Sequence, residues 1–215
     1  VTDTSTASAP DHLHEFTASG VRVERVLAVM AHPDDVDFGA AGTVATWTDR
    51  GIEVVYCLVT DGQAGGSDNS ISRDEMARIR RREQTAAAKV LGVHKLHFLG
   101  FPDGAVVADL ALRREISAVI RIEKPNRVLT QSAERRYDRI YASHPDHLAT
   151  GEAALCAVYP DARNEFAFPD LLAAGLAPWA VSEVWVMGRA ERNHFVDITA
   201  TSYSSAFFIF TLSYL

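Results

Sequence analysis

Arg25-Val26-Leu27-Ala28-Val29-Met30, followed at once by Ala31-His32-Pro33-Asp34-Asp35, is the stretch on which the fold turns. A short apolar run rich in branched residues predicts a strand buried on both faces, the habit of parallel sheets. Proline then ends the ladder, since it has no N–H to donate. Beyond it, the small-residue-rich segment Phe38–Arg50 reads as a helix. In open α/β sheets ligands bind outside the carboxyl ends of the strands, so His32 to Asp35 fall at a functional position. Adjacent carboxylates at a turn diverge, and one can hold a metal ion while the other faces its water. Helix capping alone would need one Asp and no histidine.

A second cluster, His144-Pro145-Asp146-His147, is the partner that the first one needs. His144 and His147 stand i, i+3, on one face if a helix begins there. Asp146 has the chemistry to orient a neighbouring imidazole. Two ligands do not make a catalytic zinc site; three with an open position for water do.

The rest of the chain alternates. Strands are predicted at Arg25–Met30, Glu53–Thr60, Lys95–Leu99, Arg127–Thr130 and Glu183–Met187, with helices at Phe38–Arg50, Arg73–Leu91, Leu110–Glu123 and Leu148–Val158. Such βαβ alternation predicts a Rossmann-like three-layer α/β sandwich around a mostly parallel sheet. Residues 1–22 read as a mobile tail that includes His12 and His14, residues 23–201 as one catalytic domain, and 202–215 as an atypical apolar segment. Residues 157–179, with three prolines, read as an irregular excursion able to wall a pocket, and 133–139 as a solvated charged loop.

Strand, Ala-His-Pro-Asp-Asp and the later His-Pro-Asp-His together resemble the LmbE-like, or PIG-L, family of zinc de-N-acetylases. Thr60-Asp61-Gly62-Gln63-Ala64-Gly65-Gly66, Arg80-Arg81-Arg82-Glu83 and Phe98-Leu99-Gly100-Phe101-Pro102-Asp103-Gly104 are similar to intermediate segments of that family. The resemblance implies an LmbE-like fold and removal of acetyl groups from N-acetylglucosamine-type compounds. It makes His32, Asp35 and His147 the ligands of zinc, or of another divalent ion such as Fe2+. Asp34 would be the general base. His144 would steady the oxyanion or protonate the leaving amine, with Asp146 holding it. Arg80 and Asp103 match positions that touch the sugar. Tyr141 lies three residues before His144, which is not where many members place a polar residue.

Composition sets limits. A net charge of −7 over 215 residues argues against a nucleic-acid groove, and Arg78 to Arg82 reads as a solvated helix face. Cys57 and Cys156 read as buried thiols without a disulfide framework, which fits a reducing cytoplasm. No apolar leader or membrane span is visible. Three lysines against eighteen arginines fit a GC-rich bacterial genome. The expected partner is a small acetamido sugar, with oligomeric state unreadable.

Near the end, Asn193–Thr199 resembles a family strand. Ser202–Leu215 has no charged side chain and reads as a frame-shifted or divergent terminus packed as a strand. His194 reads as structural. Three rivals stand beside the deacetylase: a nucleotide-binding module, a metal phosphoesterase, and a deacetylase-like protein that binds metal without turnover. The first lacks a glycine fingerprint after the first strand, and the second needs more bridging carboxylates.

Overall fold

Val26 to Met30 have no exposed surface at all, so the first strand must lie in the middle of its sheet. The computed structural model, which describes residues 14–68, 70–199 and 201, places it there. Strands β1 (Arg25–Met30), β2 (Glu53–Thr60), β3 (Lys95–Phe101), β4 (Arg127–Gln131) and β5 (Glu183–Met187) form one sheet in the order β3-β2-β1-β4-β5. Every pairing is parallel.

Side-chain alternation along the strands divides the core in two. Val26, Ala28 and Met30 pack with Val36, Val44 and Trp47 of α1 (Asp35–Asp49) and with Ala88 of α2 (Arg73–Val90). Leu27 and Val29 point the other way, onto Leu112 and Ile116 of α3 (Leu110–Glu123) and Ala153 of α4 (Pro145–Cys156). Helices thus cover both faces, as a parallel sheet with no water-facing side requires. The order in which strands are added reverses between β1 and β4, and the crevice at that switch point is where α/β sheets bind ligands. The two histidine clusters follow those two strands.

Two helices begin earlier than the pattern alone predicts. α1 starts at Asp35, directly from the His-Pro-Asp turn, and α4 starts at Pro145. Proline suits the first helical position because its missing N–H would have no partner there. His144 is the N-cap of α4, and its ring accepts from the Asp146 amide.

Four expectations need correction. The described part of the supposed tail is docked: Thr17 is buried, and the carbonyls of His14 and Phe16 accept from Arg127. Arg127 is itself fully buried, bonded to Glu183 and lying 4.0 Å over the Trp185 ring, so it needs those carbonyls to satisfy its donors. Residues 1–13 lie outside the described part. The stretch 157–179 is organised on α3: Arg121 donates to the carbonyls of Asp161, Ala162, Asn164, Ala167 and Leu176, and Arg113 clasps Asp161. It includes a π-helical turn at Ala157–Asp161 and a short helix, α5 (Pro169–Ala173).

Asn193–Thr199 forms no strand; Ile198 and Thr201 instead cover Gly42 of α1. The apolar segment 202–215 lies outside the described residues. Finally, Cys156 is partly exposed, whereas Cys57 is buried and its thiol is pushed up to about 12 by burial. His194 rests against Trp185, with ring centroids 4.4 Å apart, away from the histidine clusters. Among the described residues no helix is long and apolar enough to cross a membrane.

α4 reaches the sheet at backbone contact. A Cβ on Gly151 would stand 2.4 Å from the carbonyl oxygen of Gln131, and that oxygen cannot move without breaking β4. Gly151→Ala is therefore expected to lower stability by about 1–3 kcal/mol, the usual cost of overpacking. Denaturant unfolding measures it, and an unchanged midpoint would contradict this packing.

Candidate metal centre and active site

The turn after β1 is fixed before any side chain does chemistry. The Ala31 amide donates to Gln131 Oε1 at 3.0 Å, and the Ala31 carbonyl accepts from Thr60 at 2.8 Å. His32 therefore leaves the sheet between β2 and β4. Asp35, at the start of α1, accepts from the His32 amide at 2.8 Å, so its carboxylate folds back over the strand end.

Three ligand-type atoms meet there. His32 Nδ1 stands 3.2 Å from His147 Nε2, His147 Nε2 is 3.0 Å from Asp35 Oδ1, and His32 Nδ1 is 3.6 Å from Asp35 Oδ2. A tetrahedral zinc ion with ligands at about 2.0–2.1 Å separates neighbouring donors by about 3.3 Å. The three residues fit such an ion. Wider combinations within 4.8 Å also exist, joining His32 and His147 with His144, or His32 with Asp103 and Asp146. The latter pair is already engaged with backbone amides and with the other ring nitrogen of His32.

That second nitrogen decides two roles. His32 Nε2 lies 3.1 Å from Asp146 Oδ2 and 3.2 Å from Asp103 Oδ1. Asp146 is wholly buried, accepting from Gly104 at 2.7 Å and Val106 at 3.2 Å. Asp103 also accepts from the Ala64 amide at 2.8 Å. The expectation that Asp146 holds the His144 ring is thus corrected: its side chain holds His32, and only its backbone N–H meets His144, at 3.2 Å. Asp103, expected at the sugar, is bonded to the His32 ring.

The electrostatics follow. Burial opposes a charge on His32, but its hydrogen bonds to the accepting carboxylates of Asp103, Asp35 and Asp146 raise its pKa to about 10. Burial likewise opposes ionisation of Asp35, yet His147 and His32 hold its carboxyl well below the usual range. Three carboxylates around one imidazole call for a positive charge, supplied by a proton or by a metal ion.

Asp34 diverges from Asp35 as the turn requires. Burial raises its pKa, opposed by the Arg80 guanidinium, which donates to Oδ2 at 2.6 Å. Arg80 also reaches the Pro33 carbonyl and Glu83, so its described bonds serve this turn and its own helix. The arginine run does not form one face. Arg78 and Arg82 pair with Glu75, while Arg81 clasps Asp61 with two bonds of 2.8 Å. The Asp61 end of the loop after β2 is thereby tied to α2.

His144 stands opposite, its ring centroid 4.9 Å from that of His32 and 5.2 Å from that of His147. Burial, then the facing His32 and His147, lower its pKa. With Nδ1 accepting from Asp146, the neutral ring carries its proton on Nε2. Tyr141 is exposed and is engaged by Arg139.

Sequence reasoning missed Gln131, Gln84 and Asp37. Gln84 accepts from the Asp34 amide at 2.5 Å and donates to Asp37 at 3.1 Å. Its spacing four residues after Arg80 was the available signal, because that places both on one face of α2.

Comparison with known proteins fits this geometry. Residues 27–158 match the PIG-L family model, GlcNAc-PI de-N-acetylase. The chain is 38% identical to diacetylchitobiose deacetylase of Thermococcus kodakarensis over 82% of its own length and 64% of that protein's. It is 35% identical to a Bacillus cereus protein named probable N-acetyl-alpha-D-glucosaminyl L-malate deacetylase 2, over 62% of this chain and 60% of that one. The solved N,N'-diacetylchitobiose deacetylase of Pyrococcus horikoshii superposes with a TM-score of 0.78 at 33% identity, covering 83% of this chain and 65% of that chain. The chain thus spans less than two thirds of the length of these relatives. With the strand-end His-Pro-Asp-Asp turn and the His-Pro-Asp-His helix start brought together as described, this chain belongs to the PIG-L family of de-N-acetylases.

Proposed function

We propose that this chain is a metal-dependent hydrolase that removes the acetyl group from an N-acetylglucosaminyl compound, releasing acetate and a free amine. The observation that carries this reading is the convergence of His32 Nδ1, His147 Nε2 and the Asp35 carboxylate within 3.0–3.6 Å of one another. Two relatives support the substrate class, since diacetylchitobiose and N-acetylglucosaminyl malate share the acetamido sugar in their names.

His32, Asp35 and His147 would hold the ion, a set of two imidazoles and a carboxylate that suits zinc and also Fe2+. When bound, such an ion brings the pKa of a coordinated water to about 7 and polarises a carbonyl oxygen. Asp34 is the general base. Arg80 occupies Oδ2, which leaves Oδ1 to take a proton from the attacking water, and burial brings the carboxyl's pKa closer to working pH. His144 presents Nε2–H to the amide oxygen as negative charge builds there. The proton held by Asp34 then passes to the departing nitrogen. Asp103 and Asp146 fix the His32 ring, and Arg80 fixes the Asp34 carboxylate.

The direct test is amine release from N,N'-diacetylchitobiose by chelator-stripped protein before and after zinc is restored. Activity that returns with zinc is expected; release indifferent to metal would overturn the reading. Asp34→Asn should keep its metal and lose at least about tenfold in turnover, or ~1.4 kcal/mol of barrier. A variant above a tenth of the parent rate would contradict the assignment of the base. Removing the support behind His32 should act on the metal itself. Asp103→Ala is expected to weaken zinc affinity about 10- to 100-fold, measured by competition with a chelating dye, and undiminished affinity would refute that role.

A further inference from the structure

We propose that Gln84, backed by Asp37, is a positioning residue for the general base: it selects the left-handed backbone conformation at Asp34 and so sets where that carboxylate points. The proposal rests on Asp34 being the base. Asp34 has φ 93° and ψ −22°, whereas a helix N-cap ordinarily has β-region angles. An Asp at an N-cap normally spends its carboxylate on an amide of the first turn. Here Asp34 makes no side-chain cap bond. The left-handed turn has released the carboxylate from the helix it precedes.

Such a conformation costs a non-glycine residue on the order of 1 kcal/mol or more, so the surroundings must hold it. Gln84 does so from α2: it is only 2% exposed, and its Oε1 accepts from the Asp34 amide at 2.5 Å. The amide group of Gln84 cannot be the other way round. Its Nε2 meets Asp37 Oδ2 at 3.1 Å, and a carboxylate needs a donor there. Asp37 comes from the first turn of α1, so the helix that Asp34 begins fixes the side chain that fixes Asp34. One turn earlier on α2, Arg80 grips the Asp34 carboxylate and the Pro33 carbonyl. The loop after β2 closes the remaining side: a Cβ on Gly62 would lie 3.2 Å from the Pro33 ring. Arg80 thus steadies the carboxylate, while Gln84 determines the backbone from which it projects.

The test compares the parent chain with Gln84→Met, Asp37→Ala and Asp37→Asn. Amide exchange at Asp34 is followed by NMR in metal-free protein, then zinc content, kcat and KM on N,N'-diacetylchitobiose. In Gln84→Met, Asp34 exchange should quicken roughly tenfold, as loss of one hydrogen bond implies. Zinc content should hold, KM should stay within about twofold, and kcat should fall about 10- to 100-fold, the scale of a displaced catalytic group. Asp37→Ala should move the same quantities less far, and carries the test if Gln84→Met does not fold. Asp37→Asn, which keeps an acceptor oxygen, should recover most of the lost kcat. Unchanged Asp34 exchange in Gln84→Met would overturn the proposal, as would faster exchange with parental kcat. A parent chain that releases no amine defeats the functional reading alone, and the exchange arm still decides whether Gln84 holds the turn.

Discussion

His32 is a largely buried imidazole with carboxylates at both nitrogens, and the rest of the site is arranged around that fact. On one side Asp35 and His147 face Nδ1; on the other Asp103 and Asp146 face Nε2. A neutral imidazole cannot satisfy so many acceptors, and a charged one in a low-dielectric crevice needs most of them. A metal ion held by His32, Asp35 and His147 would resolve the conflict, leaving Nε2–H of His32 for the carboxylates behind. The surplus of acid groups is therefore part of the site's chemistry.

The sheet makes this density of charge achievable. Parallel strands deliver β1 and β4 side by side, pointing the same way, so the turns that leave them emerge together. α4 closes to backbone contact at Gly151, one turn beyond His147. Asp146, with no exposed surface, is anchored by amides of the loop between β3 and α3. The three loops that carry the histidines and carboxylates are thus bonded to one another, and a ring such as His32 has little freedom left to lose on binding an ion.

Local chemistry made much of this legible in sequence. β1, β2 and β5 were readable to the residue because their apolar runs are bounded by charged or turn residues, and two His/Asp clusters stood out, though only the family resemblance assigned roles within them. Partner choice was not legible. Asp146 lies between two histidines in sequence, yet its side chain crosses to His32, since residues in the first turn of a helix project in different directions. Arg80 was read as a sugar contact, because nothing local shows that Asp34 is nearer than a ligand would be. Gln84 carries no charge, and its one signal in the sequence, the four-residue spacing from Arg80, gains a meaning only once α2 is laid beside the turn. The buried Arg127 and Arg121 misled in a similar way. Each organises a segment that composition alone marks as irregular, by collecting backbone carbonyls that no sequence motif records.

Anomalous scattering at the zinc edge, from crystals of this chain grown with zinc, tests the metal centre most directly. One strong peak about 2.0–2.2 Å from His32 Nδ1, His147 Nε2 and an Asp35 oxygen is the expected result. A peak held instead by Asp103 and Asp146, or none at full zinc occupancy elsewhere in the lattice, would contradict the account.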